Sequence, residues 1–127
     1  MFVPVPVAGD LYVDGGIHSP TNADLLVGER YDRVIVVSPM STDAYAIRKR
    51  RLNPVRLICR AILGAEVRAL RKQGAHVEVF QPGLEVQRAM GINALDSERC
   101  SRVAELARES ALARLDEREP AAERLAA

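Results

Sequence analysis

Hydrophobic positions alternate at the start of the chain, in Val3-Pro4-Val5-Pro6-Val7, and resume as Leu11-Tyr12-Val13 after Ala8-Gly9-Asp10. The pattern predicts a short hairpin or bent edge, because prolines cannot donate to a ladder and are confined to edges and unpaired positions. Asp14-Gly15-Gly16 breaks that strand, and residues 17–30 are polar and turn-rich, with a short helical turn around Ala23–Val27. Arg33-Val34-Ile35-Val36-Val37-Ser38 is a continuous β-branched run ended by Pro39, as expected of a strand buried on both faces of a helix-covered parallel sheet. Residues 40–52 read as a polar to basic connection. Asn53-Pro54 then starts a helix, Asn as N-cap and Pro where its missing N–H costs nothing. That helix places Leu57, Ile58, Ala61, Ile62, Ala65 and Ala69 on one face and stops near Gly74. His76–Phe80 follows as a strand ended by Pro82-Gly83, so residues 33–80 form a βαβ unit, for which a right-handed crossover is expected. A short helix over Leu84–Met90, a turn through Gly91–Leu95, and a helix capped by Asp96 or Ser97 and running to about Glu117 complete the outline. The last helix has only a weak apolar stripe of Val103, Ala107, Ser110 and Ala111, and the segment from Pro120 reads as a frayed tail.

The expected class is α/β, and the layer count is short. A strand buried on both faces needs helices above and below, and this outline offers one strongly amphipathic helix. We therefore expect residues 1–118 to be the C-terminal portion of a larger domain, completed by N-terminal sequence, with 119–127 as the tail. Composition agrees with a globular chain: 127 residues, 48% hydrophobic and 28% charged. A formal net charge of +1 argues against nucleic acid as a partner. Cys59 and Cys100 lack metal-ligand spacing, which points to a reduced, cytoplasmic setting without a zinc or disulfide framework. Pro4 and Pro6 interrupt the only apolar stretch at the N-terminus, so it does not read as a signal peptide.

The chemistry is concentrated at Asp14-Gly15-Gly16. An Asp-Gly pair after a strand is first a turn, since glycine reaches positive φ without steric cost. Its functional reading is a carboxylate at a strand end, with glycines admitting another group, serving as general base for a hydroxyl nucleophile. The run Gly9-Asp10-Leu11-Tyr12-Val13-Asp14-Gly15-Gly16, followed by Ser19-Pro20-Thr21-Asn22-Ala23-Asp24, resembles the aspartate block of patatin-like phospholipases. Tyr31–Met40, Asn53-Pro54-Val55-Arg56 and Ala89-Met90-Gly91 with Asn93–Asp96 resemble the later segments of bacterial members in the same order. The resemblance implies a three-layer α/β/α fold and a Ser–Asp dyad that cleaves lipid acyl esters without cofactor or metal. Asp14 would be its base. Read from the residues themselves, Asn22 and Asp24 either orient the loop behind Asp14 or, more simply, bond to nearby backbone.

Half of that dyad is missing. The family's nucleophile lies in Gly-x-Ser-x-Gly, and none of Ser19, Ser38, Ser41, Ser97, Ser101 and Ser110 has that setting. The chain alone is expected to be inactive, with the rest of its own domain as its first partner. A Ser–His–Asp arrangement of His18 with Ser19 or Ser38 is the weaker catalytic reading. The basic run Arg48-Lys49-Arg50-Arg51, extended by Arg56 and Arg60, reads either as a solvated helix start or as a contact for anionic membrane lipid. A non-catalytic α/β remnant or interaction module is the alternative to the enzyme.

Overall fold

The computed structural model describes residues 3–49, 53–91, 93 and 96–117. Its strands are β1 (Val5–Val7), β2 (Asp10–Tyr12), β3 (Arg33–Val37) and β4 (His76–Phe80). Its helices are α1 (Ala44–Arg48), α2 (Pro54–Lys72), α3 (Leu84–Met90) and α4 (Cys100–Asp116). Short 3-10 turns cover Gly15–Ile17, Ala23–Leu26 and Ser97–Arg99. The class is α/β. Described residues of 1–42 and 52–81 form one compact unit, and those of 43–51 and 82–127 a second.

In the first unit β1 and β2 pair antiparallel around Ala8-Gly9, both at positive φ (52° and 96°). Such a two-residue turn matches the twist of the strands it joins. Pro6 stands opposite Leu11, between the pairs Val5–Tyr12 and Val7–Asp10. Opposed residues alternate between bonded and non-bonded pairs, and the pair that flanks the turn is bonded. Pro6 therefore occupies a position where the ladder needs no N–H.

β3 and β4 pair in parallel, from Arg33 opposite His76 to Val37 opposite Phe80. Val34, Val36, Val77 and Val79 share one face, where they pack with Leu63, Val67 and Leu70 of α2 and with Ala23 and Leu26. The other face carries the Arg33–Glu78 ion pair (2.6 Å) beside Ile35 and Val37, which are 59% and 67% exposed. The expectation of a strand buried on both faces is thus corrected. Unbroken β-branched sequence fits two covers, and among the described residues β3 has one.

α2 begins as the sequence predicts: Asn53 Oδ1 accepts from the N–H groups of Val55 (3.0 Å) and Arg56 (3.4 Å), with Pro54 in the first position. It ends at Gly74 (φ 101°), where Gly74 N–H reaches Arg71 O (3.0 Å) and Ala75 N–H reaches Leu70 O (3.2 Å). These paired bonds close the last turn as a Schellman motif. The buried face differs from the expected one. It consists of Arg56, Cys59, Leu63, Glu66, Val67 and Leu70, while Ile58 is exposed. Two buried polar residues hold the helix in this rotation. Arg56 Nη1 donates to the carbonyls of Pro39 (2.8 Å) and Ser41 (2.9 Å), and Glu66 accepts from the Thr21 hydroxyl.

The second unit contains a helix where the sequence pattern predicts only a connection. Asp43 Oδ1 caps α1 by accepting from Ala46 N–H (2.7 Å), and Ala46 is buried. α3 forms where predicted, burying Val86 and Met90, and packs on α4. Asp96 caps the 3-10 turn that leads into α4 (Glu98 N–H to Oδ1, 3.1 Å). α4 has no fully buried residue; Val103, Leu106, Ala111 and Arg114 are half-buried, whereas Ala107 and Ser110 of the expected stripe are exposed. Most of the expected 91–95 turn and the tail from Pro120 lie outside the described residues.

Candidate active site

Asp14 leaves β2 in extended conformation (φ −61°, ψ 129°), and its Oδ1 accepts the Gly16 N–H at 2.7 Å. The carboxylate caps the turn Gly15–Ile17 and remains exposed. Its second oxygen, Oδ2, has no hydrogen bond to a described residue. A Cβ at Gly16 would stand 3.0 Å from Asp14 Oδ1, and one at Gly15 would stand 3.4 Å from Asn22 Nδ2. The two glycines therefore make room for the Asp14 carboxylate and the Asn22 amide.

Asn22 bonds to the backbone of this loop. It sits in the left-handed region (φ 49°), which Asn tolerates better than most residues, and its Nδ2 donates to Ser19 O (2.7 Å) and Gly15 O (3.2 Å). Ser19 is buried, and its Oγ accepts from the N–H groups of Thr21 and Asn22, both at 3.2 Å. Two anchors tie the loop to α2. One is the Thr21–Glu66 hydrogen bond. The other is Gln73 at the C-cap, whose Oε1 accepts from Gly28 N–H (2.8 Å) while its Nε2 donates to Leu26 O (3.3 Å). Sequence reasoning missed both anchors. Glu66 left a faint signal, as an acid among apolar helix positions, and Gln73 left none.

His18 pairs with Asp24, Nε2 to Oδ2 at 2.8 Å. The hydrogen bond to Asp24 raises the histidine above its ordinary pKa, and the same bond holds Asp24 below its own. Ser19 and Ser38 are each 1% exposed, so the Ser–His–Asp reading lacks a hydroxyl that substrate could reach. Asp24 Oδ1 and Glu66 Oε1 are both buried without a hydrogen-bond partner.

The basic segment divides. Arg48 and Lys49 are exposed at the end of α1, with Lys49 Nζ 5.6 Å from the Tyr45 ring centre. Tyr45, Lys49, Leu84, Glu85 and Arg88 line an open cleft of about 400 Å³. Arg50 and Arg51 lie outside the described residues. Arg56 and Arg60 do not extend a lipid-facing cluster. Arg56 is buried against backbone carbonyls, and Arg60 Nη1 donates to Thr42 O (2.6 Å) and Gln81 Oε1 (3.1 Å). Among the described residues no group of three His, Cys, Asp or Glu side chains is placed to hold a metal ion, and no helix is long and apolar enough to cross a membrane.

No family model, curated protein or solved structure matches this chain. The chemistry therefore rests on the site itself. Asp14 has one oxygen fixed by a backbone N–H and one open to a proton donor.

Proposed function

We propose that this chain is the base-bearing part of a patatin-like serine acyl hydrolase, a three-layer α/β/α domain that cleaves lipid acyl esters. The observation that carries the reading is the half-engaged Asp14 carboxylate. As a serine supplied by the rest of the domain attacks the ester carbonyl, its proton passes to Asp14 Oδ2 and then to the leaving alcohol. The acyl-serine forms; Asp14 next takes a proton from the attacking water and returns it to the serine oxygen as the Oγ–acyl bond breaks and the acid leaves. Ile35 and Val37, exposed on the sheet face away from α2, are compatible with a second helical layer there. No metal or organic cofactor enters this scheme.

The decisive experiment extends the chain by the in-frame sequence preceding Met1, provided that sequence encodes Gly-x-Ser-x-Gly. On a short-chain nitrophenyl ester, Asp14→Asn in the extended protein lowers kcat by about 10²–10⁴, the usual share of a general base. Unchanged turnover in that variant would overturn the assignment. The 127-residue chain alone gives no turnover. Stop codons or degenerate sequence upstream would instead favour a non-catalytic α/β remnant, which the missing nucleophile also fits.

The substrate class sets a second expectation. Arg48 and Lys49, with Arg50 and Arg51 beside them in sequence, attract anionic lipid by about 1 kcal/mol per basic residue at the bilayer surface. The chain then co-sediments with phosphatidylserine-containing vesicles and not with purely zwitterionic ones. Equal binding to both removes the electrostatic contact.

A further inference from the structure

α2 carries its charge unevenly. Over Pro54–Lys72 it has Arg56, Arg60, Arg68, Arg71 and Lys72 against Glu66 alone, and Glu66 is buried against the Thr21 hydroxyl. At about 3.6 residues per turn, Leu57, Arg60, Ala61, Gly64, Arg68 and Arg71 fall on one stripe, and Glu66 falls on the opposite side of the helix. That stripe and the end of β4 line a groove of about 520 Å³. Leu57, Ala61 and Val79 give the groove its apolar wall, and Arg60, Arg68 and Arg71 give it charge. None of these three arginines pairs with a carboxylate among the described residues. Two are fixed by neutral acceptors. Arg60 Nη1 donates to Thr42 O (2.6 Å) and Gln81 Oε1 (3.1 Å), while Gln81 Nε2 donates to Ser41 Oγ and Thr42 O, both at 3.0 Å. Arg71 Nη2 donates to Val77 O (2.9 Å). A guanidinium has five N–H groups, so both keep donors to spare and a charge that no carboxylate cancels. Arg68 forms no hydrogen bond or ion pair with a described residue. Its Nη1 lies 3.4 Å from where a Gly64 Cβ would stand, so the side chain lies back over the bare helix backbone.

We propose that this groove binds a single-chain anionic amphiphile, its aliphatic tail on Leu57, Ala61 and Val79 and its carboxylate or phosphate head on the arginines. Small-molecule sites are concave, about 300–1,000 Å³ in volume, mostly apolar, and carry a few fixed polar groups that orient the ligand. The groove has that size and that division. Three uncancelled positive charges select an anion, and planar guanidinium donors match carboxylate and phosphate alike. A bare inorganic anion would leave the apolar wall in water, whereas a tail removes it. A membrane surface is the poorer fit, because a bilayer does not follow a concavity between a helix and a strand. The groove lies across α2 from Glu66, and so from the loop behind Asp14. It also lies on the β4 side, away from the β3 edge where the rest of an acyl hydrolase domain would join. The inference therefore goes beyond that reading and does not depend on it.

The test titrates the 127-residue chain with dodecanoate and with dodecyl phosphate, both below micelle formation, by calorimetry and amide NMR. Each binds one to one and moves the amides of Gly64 and Val79. Dodecanol and dodecyltrimethylammonium bind about tenfold more weakly or less, and Arg68→Gln weakens both anions roughly tenfold or more, the share of one charge-assisted hydrogen bond. Arg68 is the arginine to replace because it holds no other described part of the fold, so the circular dichroism spectrum is unchanged. Ala61→Phe fills the groove from an exposed helix position and abolishes the shift at Val79. A preference for one of the two anions identifies the head group. No binding of either anion, equal binding of the neutral or cationic chain, or equal shifts with inorganic phosphate alone overturns the proposal. Anion binding indifferent to both Arg68→Gln and Ala61→Phe overturns it too. So does binding to phosphatidylserine vesicles that Arg68→Gln weakens while neither monomeric amphiphile binds, since α2 would then meet a membrane surface instead.

Discussion

At the scale of single residues, the His18–Asp24 pair gives the loop beside Asp14 a defined pH response. His18 is raised from 6.5 by its bond to Asp24, so its contribution to stability is complete below 6.5 and is lost as pH rises through the folded-state value. Asp24 is lowered from 3.8, so its contribution is complete above 3.8 and is lost as pH falls through the folded-state value. The pair is thus most favourable between those two reference values. An NMR titration of the His18 ring is expected to show a midpoint above 6.5 that falls in Asp24→Asn; a midpoint indifferent to Asp24 would dissolve the pair. Only part of this neighbourhood could be read from sequence. The backbone bonding of Asn22 was legible because an Asn side chain reaches nearby backbone groups, a local property. The partner of His18 was not, because Asp14 and Asp24 are both close in sequence and only the fold of residues 15–26 chooses between them.

At the scale of elements, the start and stop of α2 were legible because capping is a matter of a few adjacent residues. Asn53-Pro54 and Gly74 behave as their chemistry dictates. The buried face was not legible, since Arg56 and Glu66 look like surface residues until their partners at Pro39, Ser41 and Thr21 are in place. α1 was hidden for another reason: at Ala44–Arg48 it is too short to show a helical period. The anchoring of the Asp14–Gly28 loop belongs to this scale too. Gln73→Ala removes both clamp bonds to Leu26 and Gly28. With a net value of about 1 kcal/mol for an ordinary hydrogen bond, loss of one or both speeds Gly28 amide exchange roughly five- to thirtyfold, with little change in the core amides of β3. Uniform acceleration across the chain would show instead that Gln73 supports the whole unit.

At the scale of the molecule, the sequence indicated α/β order, the pairing of two strands around a helix, and too few helices to cover both faces of the sheet. Hydrophobic pattern reports what a strand requires, while cover depends on which elements are present to supply it. The β4 edge of the sheet carries a further consequence. A sheet open at both edges can add strand after strand without end, as fibres do. Here the Arg71 guanidinium bonds Val77 O of β4 (2.9 Å) and so competes with any added strand at that position of the edge. Arg71→Ala is expected to free that position of the edge and raise aggregation, detectable by thioflavin fluorescence and light scattering. No rise in either signal would show that some other group closes the β4 edge. A single arginine on the last turn of a helix would then act as a guard, keeping stray strands off one edge of the sheet.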